Sequence, residues 1–228
     1  MMLYISNFNW LYLIGFAVAM GLFFTYISKS SNALIDMSFF KNKQFIRTLS
    51  VALIIYSVQL GYIFVFPFVL QAVYGLKTDM VSLVLIPGYL AAVLIGALSG
   101  KVGKVLSSKQ ATLIALSGIA LALFIPGLFT ESSVVIFVLS MVIFSGSFAF
   151  MYAPMFHTCV SAIPTEKSGT AIGFYNLTLN VAGSIGIAYT ASMLDKLDIS
   201  TILFVLAAIV IVAIGLYWVL LGKLLKTN

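Results

Sequence analysis

The residues able to do chemistry in this sequence are few, and carboxamides lead them. Gly173, Asn176, Asn180 and Gly183 are spaced three, four and three apart, which sets them along one face of a helix. Two amides on one face either tie a helix to its neighbour by hydrogen bonds or offer donors and acceptors to a polar ligand. Gln59, Tyr62 and Phe66, with Tyr56 beside them, share a second helical face just before Pro67. An amide among aromatic rings suits an amphipathic ligand, and equally suits an ordinary buried contact. Gly169 with Gly173, and Gly183 with Gly186, are positions where another helix can approach closely.

Other chemistries find little support. His157 is the only histidine and Cys159 the only cysteine, so there is no metal-ligand spacing and no intrachain disulfide. A hydrogen-bonded interfacial histidine is the plain reading of His157; a proton relay is the sharper one. No glycine-rich phosphate loop and no nucleophile beside a base can be found, so neither an enzyme nor a nucleotide-driven pump is expected, and no cofactor or metal. Asp36, Asp79, Glu131, Glu166, Asp195 and Asp198 all fall between apolar runs or at their ends. Proton-driven transporters commonly carry an acid within the membrane, and this chain has none to offer. Asn176-Leu-Thr matches a glycosylation acceptor, but a helix interior is the wrong place for one.

The elements that must hold these residues are apolar. Of 228 residues, 62% are hydrophobic and 8% charged, against roughly 25% charged in soluble domains. Runs long enough to cross a bilayer, about 20 residues, fall at 8–28, 47–71, 79–100, 110–130, 132–154, 170–194 and 200–222. The chain is therefore expected to be an all-α integral membrane protein of seven transmembrane helices. Barrel strands would alternate polar and apolar residues, which these runs do not. Residues 29–46 read as a cytoplasmic amphipathic linker. The expected division is a first helix and linker, 1–46, and a six-helix domain, 47–228.

Lys29, Lys41, Lys43, Arg47, Lys101, Lys104, Lys109, Lys167, Lys223 and Lys226 fall on one side of the alternating runs, and only Lys77 and Lys196 on the other. The basic side is expected to be cytoplasmic, with the N-terminus outside and the C-terminus inside. Bases scattered in short gaps argue against nucleic acid as the reason for the net charge of +6; the partner is the lipid bilayer. MMLYISN lacks a base, so the first membrane helix, not a cleaved signal, is expected to direct insertion. The runs at 110–130 and 200–222 are almost wholly aliphatic and are expected outermost, facing lipid. The runs at 47–71, 79–100, 132–154 and 170–194 carry the amides, prolines and many glycines, and are expected to line a path or seam.

Between two apolar runs lies GALSGKVGKVLSSK, residues 96–109. Its Gly96-x-Leu98-x-Gly100-Lys101-x-Gly103-Lys104 resembles the signature loop of the major facilitator superfamily, with Gly100 where that family usually has aspartate. FPFVLQAVYGLKTDMVSLVLIPGY (66–89), IPTEKSGTAIGFYNLTLNVAGSIGIA (163–188) and IDMSFFKNKQF (35–45) are similar to the second half of its fourteen-helix drug:proton antiporters, and most of all to Gram-positive tetracycline-efflux pumps. The resemblance implies the C-terminal half of a bacterial cell-membrane exporter of amphipathic drugs by proton antiport, incomplete alone, with proton binding in a missing N-terminal half. It implies a cytoplasmic gate motif of Gly96, Gly100, Lys101, Gly103 and Lys104, and a substrate cavity walled by Gln59, Tyr62, Phe66, Asn176 and Asn180. Some of those pumps have a glutamate where this chain has Gly183, which points to a broader or different drug range. The alternatives are a non-transporting remnant, a split half needing a partner, or a seven-helix receptor.

Overall fold

The structure is a computed structural model. It describes residues 42–102, 106–130 and 133–221 almost throughout, and before them only 14, 15, 18, 21, 22, 25, 26, 39 and 41. The chain divides into two compact units between Lys41 and Asn42. In the first, the described residues from 14 to 26 are helical; the rest of the expected first span, and most of the expected linker, lie outside the described residues.

The second unit is a bundle of six long apolar helices: α1 (Lys43–Ala72), α2 (Thr78–Val102), α3 (Ser108–Leu128), α4 (Val134–Val160), α5 (Ser168–Leu194) and α6 (Ile199–Leu221). Lipid offers the backbone no hydrogen bonds, so each crossing segment must satisfy its own. The ends carry the punctuation this requires. Asn42 caps α1, its Oδ1 accepting from the Phe45 amide. Ser107 and Gln110 form a capping box on α3, and Ser133 caps α4. Asp198 accepts at α6 from the Thr201 hydroxyl (2.7 Å) and backbone N–H (2.9 Å); these bonds hold its carboxyl below the usual carboxylate range. α1 closes on Gly75, whose φ of 63° is left-handed, with the Gly75 and Leu76 amides donating to the carbonyls of Gln71 and Leu70. Pro67, Pro87, Pro126 and Pro154 all sit inside helices.

α1 begins four residues before the apolar run from 47, because polar groups anchor it. Asn42 Nδ2 donates to the Ala162 carbonyl (2.6 Å), and Gln44 Nε2 to the Thr158 carbonyl (3.0 Å). Arg47 donates to the Leu220 carbonyl at the end of α6 (2.9 Å), where helix carbonyls lack partners.

The packing has an internal symmetry. α2 packs on α4 as α5 packs on α1; α3 packs on α4 as α6 packs on α1; α1 meets α4, and α3 meets α6. Exchanging α1–α3 for α4–α6 maps these pairs onto themselves. Three helices reverse direction, so the relation is that of an inverted repeat. The expectation that the 110–130 run lies outermost is corrected: α3 is half-buried, as deeply as α1, whereas α2 and α5 are the least buried. A Leu touching lipid and a Leu touching a helix are chemically alike, so aliphatic composition does not identify the outer helices.

Candidate functional site

The outward face of α5 is the most unusual surface of the unit. α5 has the lowest mean hydropathy of the six helices, yet Gly173, Asn176, Asn180, Ser184 and Ala188 on it are exposed. Asn180 Nδ2 donates to the Asn176 carbonyl (2.9 Å) and Ser184 to the Asn180 carbonyl (3.1 Å). Such back-bonding meets part of each group's need. Amides at membrane depth belong against protein or water, not lipid.

The adjoining face of α5 packs tightly on α1, and Gly183, expected beside the asparagines, is buried in that contact. The helices approach closely at the crossing: a Cβ on Gly186 would strike the Ser57 carbonyl, one on Gly183 would strike the Leu60 side chain, and one on Gly61 would lie 2.5 Å from Thr190 Oγ1. Thr190 donates to the Gly186 carbonyl (2.7 Å). By contrast, nothing lies within 4 Å of a Cβ on Gly169 or Gly173, so only one of the two expected close-approach pairs is used within this unit.

The five expected cavity residues part company. Asn176 and Asn180 are exposed on α5, and Gln59 is half-buried on α1. No hydrogen bond joins Gln59 to either asparagine among the described residues. Tyr62 and Phe66 are wholly buried. Tyr62 meets the Ser140 hydroxyl (3.0 Å) and the Phe144 ring (4.4 Å), and Phe66 stacks toward Phe137 (6.4 Å). In this conformation both rings face α4 and no open surface. The expected gate motif begins inside a helix, since α2 runs through Gly100 and Lys101 to Val102. Gly96 lies against α4, with Ala149 3.8 Å from where its Cβ would be. Gly103 and Lys104 lie outside the described residues. His157 is exposed in the last turn of α4.

Sequence reasoning missed a ladder of rings through the bundle. From Tyr74 it passes to Phe137 (5.7 Å), Phe66 (6.4 Å), Tyr62 (5.7 Å), Phe144 (4.4 Å), Phe148 (6.5 Å), Tyr56 (4.8 Å), Tyr175 (6.2 Å) and Phe156 (5.4 Å). Each such pair adds about 0.5–1.5 kcal/mol beyond burial. The helical spacing of Phe137, Phe144 and Phe148 was the available signal. Tyr74 also donates to the Thr130 carbonyl (2.7 Å), and its hydroxyl pKa is raised by partial burial.

The unit thus combines a ring-packed core on α1 and α4 with an exposed polar face on α5. No solved structure matches the chain. A family model described as Major Facilitator Superfamily matches residues 1–187, and with six long apolar helices among the described residues, arranged around an inverted repeat, the chain belongs to the major facilitator superfamily of membrane transporters.

Proposed function

We propose that this chain is the C-terminal half of a proton-coupled exporter of amphipathic drugs in a bacterial cell membrane, working by alternating access with a second helical body. The polar face of α5 supports this most directly: a span that exposes Asn176, Asn180 and Ser184 needs a protein or aqueous neighbour. In this reading Asn176 and Asn180, with Gln59 at the edge of α1, form this half's share of the drug path. Tyr62 and Phe66 back the path from within the core, and the Gly96–Lys104 motif steadies the cytoplasmic gate. The proton-binding acid belongs to the other body, since the described spans hold no Asp or Glu except Asp79 and Glu166 in first turns. The ring ladder suits rigid-body rocking, because it ties α1, α4 and α5 into one piece.

Binding tests this reading without requiring a complete pump. The chain in nanodiscs should bind ethidium or tetracycline, and Asn176→Leu with Asn180→Leu should weaken binding roughly tenfold or more, the worth of one or two lost hydrogen bonds. Binding unchanged by both substitutions would remove the α5 face from the drug path. Proton-driven drug uptake by the chain alone in liposomes would show that no second body is needed.

A further inference from the structure

A proline inside a helix withholds an N–H from the carbonyl four residues before it. Pro67, Pro87, Pro126 and Pro154 therefore leave the carbonyls of Ile63, Leu83, Ala122 and Phe150 without that donor. Leu83 is exposed, Ile63 and Phe150 are half-buried, and among the described residues no side chain donates to their carbonyls. Ala122 is different, because it is buried. There the missing donor comes from the next helix: the Ser140 hydroxyl of α4 donates to the Ala122 carbonyl of α3. A hydroxyl has one hydrogen to give, so in the 3.0 Å bond between Tyr62 and Ser140 the tyrosine of α1 is the donor. Tyr62, Ser140 and Ala122 are all buried, and the chain they form crosses three helices. One turn before Ala122, α3 and α4 also approach closely, since a Cβ on Gly118 would strike the Ser147 hydroxyl.

We infer that Ser140 is a clamp: it completes from α4 the backbone bond that Pro126 removes from α3, and through Tyr62 it ties that joint to α1. Lipid supplies no substitute donor, and a buried carbonyl left unmatched is costly. So α3 parts from α4 only by stranding the Ala122 carbonyl, and α1, α3 and α4 are held as one piece. The ring ladder contains no residue of α3; the clamp is what joins that helix to the ladder by a polar bond. Pro126 and Ser140 are in this sense one feature, a gap in one helix and its filling from another.

Thermal unfolding of the full chain in one detergent tests the clamp. Threonine and valine have nearly the same shape and differ by the hydroxyl, so Ser140→Val should unfold about 3–10 °C below Ser140→Thr, the shift expected for a buried polar group left without its partner. Pro126→Ala returns the missing N–H to the Ala122 carbonyl. The comparison is therefore repeated with Pro126→Ala, and with Tyr62→Phe in every variant so that no tyrosine hydroxyl is stranded. In that set the difference between Ser140→Thr and Ser140→Val should fall to less than half its size with Pro126 kept. A difference of the same size with and without Pro126 would overturn the clamp, since the serine would then not be filling the proline's gap. Equal unfolding of Ser140→Thr and Ser140→Val with Pro126 in place would overturn it too, and this comparison decides the matter even where Pro126→Ala fails to fold.

Discussion

At Gly186 there is no room for a methyl group, because the Ser57 carbonyl of α1 occupies the place where a Cβ would go. The obstacle is backbone, so a rotamer change cannot relieve it and the helices must separate. Gly186→Ala should therefore cost about 1–3 kcal/mol, the range for overpacking, read as a lowered unfolding temperature in detergent. Gly173→Ala, on the same helix with open space around it, should be neutral or slightly stabilising, since alanine favours a helix by about 1 kcal/mol over glycine. Equal effects would mean that the α1–α5 crossing is looser than drawn. The two glycine pairs of this helix look alike in sequence, because spacing reports a shared face and not which neighbour stands there. The same limit separates the amides from the rings: Asn176 and Asn180 sit together as their spacing predicts, while the face holding Gln59, Tyr62 and Phe66 is mostly turned onto α4.

The six described helices were legible from apolar runs that are long and do not alternate as barrel strands would, since lipid leaves such a segment no alternative to a helix. Their ends were less so, and polar contacts explain the difference. Asn42 both caps α1 and donates to the Ala162 carbonyl beyond the end of α4, which draws the helix start back from the apolar run. Asn42→Ala should lose both interactions, about 1–2 kcal/mol in sum. Asn42→Asp keeps the acceptor for the cap but no donor for Ala162, and should recover roughly half. Thermal unfolding of the three proteins in one detergent decides this; an aspartate no better than alanine would leave the cap with no weight. Which helices are central was not legible. That depends on partners far along the chain, and an aliphatic helix such as α3 meets α4 and α6 with the same side chains it would show to lipid.

The bundle as a whole is symmetric in packing and asymmetric in charge. Its inverted repeat gives α2 and α5 equivalent places, each on the outside of the α1–α4 pair, yet only α5 exposes amides there. The charge asymmetry bears on orientation. The end bearing Lys43, Arg47, Lys101, Lys109 and Lys167 is expected in the cytoplasm, because bases near a span resist transfer across the membrane. Cys159, the only cysteine, is buried, so Cys159→Ser gives a background in which one new thiol reports its side. Lys167 precedes α5 and Lys196 follows it, and both are exposed. In intact cells a membrane-impermeant maleimide should label Lys196→Cys, and should label Lys167→Cys only after the membrane is opened. The reverse pattern would invert the molecule and set its basic end outside. Labelling of both in intact cells would mean that it inserts either way, and a gate assigned to one side would then have no fixed side to act on.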